Sequence, residues 1–302
     1  MGSAPGDARR ERLDGLALSL ILGCCLIWGL NQVVMKITLP VIPPLMQGAL
    51  RSLLAALLVG LWARHRRIAL WHADGANGPG LIAGLMFAAE FCLIYWGLQH
   101  TSASRAVVFL YLAPFVVALG MPLIAANERL RGVQVLGLLL AFAGLAWVFR
   151  DGFKAEGPAA SRQSLGDLLT LGGAIFWGLT TLLVRATRLS SAAPERTLFL
   201  QLAVSAPVML IASWAAGEAA PQWTPLAIGS LFYQAVLIAS VSYLTWFWLL
   251  RHYPATRVAA FTFLTPLMGS IAGVVLLGEP MSSALAIGLL GVAIGLWLVN
   301  RR

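Results

Sequence analysis

The sequence predicts an all-α integral membrane protein in which ten transmembrane helices form two inverted five-helix repeats, with both termini in the cytoplasm. Three observations predict this class. The 302 residues are 59% hydrophobic and only 11% charged, whereas a soluble domain carries about 25% charged residues. Ten apolar runs have the length that a bilayer requires, and the second half of the chain repeats motifs of the first. An ordinary soluble enzyme, a disordered chain and a disulfide scaffold are therefore excluded.

Each apolar run has close to the ~20 residues that an α-helix needs to cross a bilayer. The predicted helices are Gly15–Ile37, Pro43–Trp62, Gly80–Leu98, Ala103–Ala125, Val133–Phe149, Leu165–Val184, Leu198–Ala216, Pro225–Leu250, Ala255–Leu277 and Ala284–Val299. The chain then divides into a cytoplasmic tail (1–14), a first repeat (15–149), a periplasmic connecting loop (150–164) and a second repeat (165–302). Asp14 and Asp167 come at the starts of helices one and six, where we expect their carboxylates to cap the helix.

The basic residues predict the orientation. Fifteen arginines fall on one side of the predicted membrane, five Lys or Arg on the other, and Arg51 lies inside a helix. Since cytoplasmic loops carry the excess of Lys and Arg, both termini are placed in the cytoplasm, and the net charge of +9 needs no nucleic-acid partner. Cys24, Cys25 and Cys92 all lie in apolar runs, so no disulfide and no cofactor are expected.

Motifs recur along the chain at a nearly constant spacing. Trp28-Gly29-Leu30 corresponds to Trp177-Gly178-Leu179 at an offset of 149 residues, and Pro114 corresponds to Pro266 at an offset of 152. Each half holds five predicted helices, an odd number, so the second half enters the membrane from the opposite face. Inverted repeats around a site at the membrane midplane are the architecture of secondary transporters.

Several of these motifs carry a family resemblance. They are Trp28-Gly29-Leu30-Asn31 with Lys36, Arg51, Pro114 followed by Glu128-Arg129-Leu130, and Pro266 followed by Gly278-Glu279-Pro280. The chain resembles EamA-type members of the drug/metabolite transporter superfamily, and within it is most similar to the bacterial aromatic amino-acid exporters of the YddG type. The resemblance implies an inner-membrane location, a cavity between helices 1–4 and 6–9, and outward movement of amino acids or similar metabolites.

Glu90 and Arg51 are the charged candidates for a site. Each lies about eight residues from the outer end of its helix, roughly 12 Å deep at 1.5 Å per residue. A charge at that depth costs ~2.5–3.5 kcal/mol on insertion scales, so Glu90 should face the bundle or water. Three alternatives are open: the two residues form a structural ion pair, Glu90 binds a substrate's ammonium group or a coupling proton, or it lies at a polar boundary between helix and lipid. Ser242 and Ala203 stand at the equivalent positions of the second half, so the charges are not duplicated with the scaffold.

Aromatic and polar side chains recur near the predicted midplane. Trp28 and Trp177 are each followed three residues later by a polar side chain, on the same helical face. Aromatic rings precede Pro114 and Pro266 by one turn, and these prolines predict kinks because each removes a backbone hydrogen bond. The candidate cavity residues are Trp28, Asn31, Glu90, Tyr111, Trp177, Thr180, Tyr243, Trp246 and Phe263. The alternative for the uncharged ones is core packing and interhelical hydrogen bonding.

Glycines are spaced for close helix packing in helices five and ten. Gly137 and Gly144 lie in helix five, and Gly291-x-x-x-Gly295 lies in helix ten. Small residues at such spacing let helix backbones approach closely. The pattern predicts a tight contact, either inside the bundle or between protomers.

The sequence favours one function over two others. The favoured function is a secondary transporter that exports amino acids, especially aromatic and other neutral ones, and related amphipathic metabolites by alternating access. A nucleotide-sugar or phosphate-ester translocator would need several intramembrane Lys or Arg side chains. A lipid-modifying enzyme would need paired acids and bases. The expected partners are a small-molecule substrate, the lipid bilayer and protons as candidate coupling ion, and a monomeric working unit is compatible with the sequence.

Overall fold

The computed structural model describes residues 13–101, 103–125, 129–148, 150, 159–277 and 283–301. Over these ranges the chain is helical and contains no strand. Most of the predicted tail and connecting loop, together with Glu128 and the Gly278-Glu279-Pro280 motif, lies outside the described residues.

Every predicted apolar run coincides with one helix or with one interrupted helix. The first half contains α1 (Gly15–Thr38), α2 (Pro44–His65), α3 (Asn77–His100), α4 (Ala103–Leu110), α5 (Ala113–Ile124) and α6 (Gly132–Val148). The second half contains α7 (Ala159–Ala186), α8 (Pro194–Ala215), α9 (Pro225–Tyr233), α10 (Tyr243–His252), α11 (Ala255–Ala260), α12 (Leu264–Leu277) and α13 (Ser283–Asn300).

Several of these helices are long and apolar enough to cross a membrane. By length and composition, five qualify within the described ranges: Pro44–His65, Asn77–Gly97, Gln163–Ala186, Pro194–Ala215 and Pro225–His252. Four shorter apolar helices accompany them. Large apolar side chains are exposed along these helices, as on Leu123, Ile211 and Trp214, where lipid is the solvent that suits them. The chain is thus a multi-pass membrane protein.

One predicted helix cap is confirmed and the other is wrong. The Asp14 carboxylate accepts hydrogen bonds from the Ala17 amide and from the Tyr253 hydroxyl, both at 2.9 Å, at the start of α1. Asp167 lies well inside α7, which begins at Ala159, and its carboxylate accepts from the Thr101 hydroxyl at 2.7 Å. The apolar run marks only the membrane-facing part of α7, because polar residues of adequate helix propensity extend it beyond that run.

The most extensive helix pairs join the two halves of the chain. They are α6 with α13, α3 with α7, α2 with α8, α3 with α8, and α1 with α12. Between α6 and α13 the backbones touch along a glycine seam, formed by Gly137, Gly144, Gly288, Gly291 and Gly295. A Cβ atom on Gly295 would lie 2.5 Å from the Ala141 nitrogen, and one on Gly137 would lie 2.6 Å from the Gly295 oxygen. The predicted close packing therefore occurs inside the bundle.

Within the described ranges, three helices are interrupted. A turn at residues 111–112 separates α4 from α5, and a 3-10 turn at Phe261–Phe263 separates α11 from α12. Both interruptions come within one turn before a proline, Pro114 or Pro266, whose missing N–H cannot bond to the carbonyl four residues earlier. The third interruption is a π-helical segment, Gln234–Ser242, between α9 and α10.

The α2–α8 pair is fastened at both ends. At the start of α2 the Glu218 carboxylate accepts from the amides of Leu45 (3.0 Å) and Met46 (2.8 Å), which caps the helix. At the other end the Arg196 guanidinium donates to Asp74 (2.8 Å), in the α2–α3 connection, and to the Asn77 side-chain oxygen (2.7 Å), at the start of α3. The Arg196 hydrogen bonds hold the pKa of the Asp74 carboxyl well below its usual range.

Candidate functional site

A cavity of about 170 Å³ lies among the helices of both halves. Its walls come from α1, α2, α3, α4, α7, α8, α10 and the π-helical segment. An apolar cavity of about 150 Å³ holds a benzene molecule, so this one has the size for a small aromatic group. The lining is mostly aromatic and apolar with a few polar side chains, which is typical of small-molecule sites.

Most of the residues singled out from the sequence line this cavity. They are Trp28, Asn31, Arg51, Glu90, Tyr111, Trp177, Thr180, Tyr243 and Trp246. Phe263 does not line it. Its fully buried ring packs on Phe115 and Phe142, with centroids 6.4 and 6.3 Å away. Pro114 and Pro266 also lie outside the lining, and the interruption before Pro114 places Tyr111 in the wall.

The aromatic side chains form a continuous series of contacting rings, here called the ring series. It runs through Phe91, Phe87, Tyr243, Trp28, Trp246, Trp177 and Tyr111. Neighbouring centroids are 4.7 to 6.5 Å apart, within the range in which tilted and edge-to-face rings attract one another. The series gives the cavity a long apolar wall whose two ends are chemically different.

Trp28 is held in place by a hydrogen bond. Its indole Nε1 donates to the Ser242 hydroxyl oxygen at 2.7 Å, and that hydroxyl donates to the Ile238 carbonyl at 2.6 Å. Ser242 is the last residue of the π-helical segment, and in sequence it lies 152 residues after Glu90. Ser242 orients a ring, whereas Glu90 brings a charge to the cavity.

The charged end of the cavity is formed by Arg51 and Glu90, which are 1% and 8% exposed. The Arg51 guanidinium carbon lies 4.2 Å from the centroid of the Phe91 ring, a cation–π contact. Within the described part of the chain no direct ion pair joins Arg51 to Glu90, although both line the same space. The Nε and Nη2 atoms of Arg51 and the Oδ1 atom of Asn31 are buried without a hydrogen-bond partner there.

The threonines of the cavity present oxygen atoms. The hydroxyls of Thr180 and Thr181 donate to the carbonyls four residues earlier, at 2.8 and 3.2 Å. Because these donors are already used inside α7, the side-chain oxygens remain as acceptors toward the cavity.

The sequence reasoning missed several lining residues, among them Phe87, Phe91, Thr170, Thr181 and Gln201. Phe87 precedes Glu90 by three residues, so helical spacing would have placed both on one face. Gln201 is a buried amide in the middle of an apolar helix, a placement that favours function. Nothing in the sequence pattern marks Phe91 over other aromatic residues.

An apolar helical bundle that encloses a cavity with a few convergent polar groups is typical of membrane proteins that bind small molecules, transporters among them. The model of the EamA-like transporter family matches residues 15–150 and again 164–301. The chain belongs to this EamA-like transporter family.

Named relatives are similar over almost the whole chain. The uncharacterized transporter YvbV of Bacillus subtilis is 29% identical over 294 residues, which is 97% of this chain and 94% of that protein. A probable amino-acid metabolite efflux pump of Escherichia coli is 29% identical over 297 residues, 95% of each chain. A protein crystal structure superposes with a TM-score of 0.78 at 17% identity and covers 95% of this chain and 99% of that one, which shows a shared fold.

Proposed function

We propose that the chain is a secondary transporter that exports amino acids, aromatic and other neutral ones above all, and related amphipathic metabolites. It would work across the bacterial inner membrane by alternating access between two inverted five-helix repeats. The two matches of the family model, one to each half, support the repeat. The name of the Escherichia coli relative supports amino-acid metabolites as the substrate class and efflux as the direction.

One observation carries the proposal. The cavity combines a wall of aromatic rings with a single end at which one acidic and one basic side chain are buried. Rings suit the apolar part of an amphipathic molecule, and the charges suit its polar part. Glu90 is the candidate for binding the substrate's ammonium group or a coupling proton, and Arg51 shares its end of the cavity.

The same lining disfavours a translocator of phosphate esters. Such a substrate carries multiple negative charges and needs several cationic side chains. Among the residues that line the described cavity, Arg51 is the only Lys or Arg and Glu90 the only Asp or Glu. The described lining also contains no second acid or base that could act together with Glu90 or Arg51. This disfavours an enzyme active site in the cavity.

The test is release of labelled tryptophan from liposomes that contain the purified protein. We expect protein-dependent release above empty liposomes. An imposed pH gradient with the membrane potential clamped then shows whether protons are coupled. Glu90→Gln should abolish any response to that gradient.

A matched pair of variants locates the transport path. Trp246→Leu removes a ring from the cavity, whereas Trp297→Leu removes a 60% exposed ring from α13. We expect the first to reduce release strongly and the second to leave it close to wild type. No release by the wild-type protein above background would refute tryptophan export, and equal effects of the two variants would refute transport through this cavity.

A further inference from the structure

The cavity lining contains buried donors and an acceptor that have no hydrogen-bond partner in the described part of the chain. Arg51 has two buried nitrogens, Nε and Nη2, without a hydrogen-bond partner, and Asn31 Oδ1 is a buried acceptor without one. Glu90 lies at the same cavity and makes no ion pair with Arg51 in the described residues. Buried groups of this kind are costly unless they are paired. A ligand that pairs both charges relieves that cost.

The ring series places both charges at one end of the wall. Arg51 lies over Phe91, the first ring of the series, and Glu90 is the neighbour of Phe91 on α3. Tyr111 and Trp177 stand at the opposite end, 5.9 Å apart between centroids. A ligand along this wall therefore has its charged group near Arg51 and Glu90 and its apolar group toward Trp177.

From this arrangement we infer that the site selects zwitterionic α-amino acids by holding both charges at once. The Arg51 guanidinium donates to the carboxylate through Nε and Nη2, the two adjacent donors of its planar fork. The Glu90 carboxylate accepts from the ammonium group. The inference rests on the proposed transport function and adds which charge of the substrate each residue binds.

The rival explanation is that the two charges serve only each other and the fold. A carboxylate and a guanidinium that lie at one cavity attract without contact, and Arg51 also gains from two aromatic rings, at 4.2 and 5.9 Å. In that case the site would discriminate by apolar shape alone. Amine-only and acid-only analogues of tryptophan would then compete as well as tryptophan itself.

The experiment measures competition against labelled tryptophan in proteoliposomes by three indole compounds: tryptophan, tryptamine, which lacks the carboxylate, and indole-3-propionate, which lacks the ammonium group. For the wild-type protein we expect tryptophan to compete at concentrations at least about tenfold lower than either analogue, since a charged hydrogen-bonded contact is worth about that factor or more.

The variants should separate the two roles. In Arg51→Gln, tryptamine should approach tryptophan in potency, while indole-3-propionate stays weak. In Glu90→Gln the order of the two analogues should reverse. Arg64→Gln, at the exposed end of the same helix α2, is the matched control and should retain the wild-type order. A general loss of folded protein would weaken competition by all the compounds in both variants. It would not favour tryptamine in one variant and indole-3-propionate in the other.

A second readout does not need transport by the variants. In thermal unfolding of the purified proteins in detergent, tryptophan should raise the melting temperature of the wild type well above the effect of either analogue. In Arg51→Gln tryptamine should stabilise nearly as well as tryptophan, and in Glu90→Gln indole-3-propionate should do so. If a variant does not fold, the comparison of the three indole compounds on the wild-type protein alone tests the inference. Equal competition by the three compounds in a protein that releases tryptophan would overturn the inference and leave the proposed function standing. No release of tryptophan by the wild type would overturn the proposed function instead.

Discussion

The glycine seam and the cavity wall are built in opposite ways. Along the seam, α6 and α13 are continuous helices whose backbones touch, and a Cβ atom on Gly295 would fall 2.5 Å from the Ala141 nitrogen. Around the cavity, helices are interrupted at residues 111–112, between α4 and α5, and along Gln234–Ser242, between α9 and α10. The seam leaves no room for a Cβ atom at Gly137 or Gly295, whereas the cavity has a volume of about 170 Å³.

This difference separates helices that are held in one arrangement, along the seam, from helices whose conformation is able to change, around the cavity. Close-packed backbones have one arrangement, because any displacement loses contacts along the whole seam. Interrupted helices have weaker internal hydrogen bonding and are common at functional sites. We therefore expect the seam to behave as a rigid frame and conformational change to occur at the interrupted helices.

The largest expected effect comes from filling the seam. Gly295→Leu places a branched side chain where the Gly137 oxygen already lies 2.5 Å from a Cβ. Because the obstructing atoms belong to the backbone, we expect a cost well above the roughly 1–3 kcal/mol that is typical of overpacking. We expect little folded protein in detergent, measured by size-exclusion chromatography. Gly229→Leu is the control, since Gly229 on α9 has nothing within 4 Å. Equal yields of the two variants would contradict the rigid seam.

The next effect distinguishes the two proline-associated interruptions. Phe263→Ala removes a fully buried ring outside the cavity lining, and such truncations cost about 3–5 kcal/mol of stability. Tyr111→Leu keeps most of the buried apolar area but changes the end of the ring series. We expect the first variant to lower the melting temperature strongly. The second should reduce tryptophan release with a smaller change in melting temperature. The reverse result would place the substrate path at the second interruption.

A smaller effect is expected from the hydrogen bond that orients Trp28. Ser242→Ala removes the acceptor 2.7 Å from the indole nitrogen and changes no charge. Because the ring then lacks its fixed orientation, we expect KM for tryptophan to rise several-fold while the yield of folded protein stays close to wild type. Trp28→Phe removes the donor instead and should give a similar KM. A Ser242→Ala protein with wild-type KM would show that this bond has no part in substrate binding.

The smallest effect is expected at the Asp74–Arg196 contact, away from both regions. The folded state lowers the pKa of Asp74, so its carboxylate stabilises the fold above the unfolded pKa of about 3.9, and this contribution declines as the pH falls toward the folded pKa. We expect Asp74→Asn to melt a few degrees lower than wild type at pH 7. The difference should narrow below about pH 4. A gap that widens in acid would contradict this assignment.

The sequence predicts the helices and most of the cavity residues because both follow from local patterns. Apolar runs mark segments for the bilayer, and an intramembrane charge such as Glu90 stands out by its cost. The start of α7 at Ala159 was not predicted, since residues outside the bilayer give no hydropathy signal. The location of Phe263 outside the lining was not predicted either. Both prolines carry the same local signal, and only the packing of Phe115 and Phe142 decides which ring enters the cavity.

The pairing of helices across the two halves constrains how the chain is made. α6 must wait for α13, which begins about 150 residues later, and ribosomes add about 5–20 residues per second. α2 likewise waits for α8, which begins about 150 residues after it, so for roughly 8 to 30 s these helices lie in the membrane without their partners. Until α8 and α10 are made, Arg51 and Glu90 lack second-half side chains that line the cavity with them. We expect the nascent first half to be held at the insertion machinery until the second half arrives, so that burial of its charges is among the last steps of biogenesis.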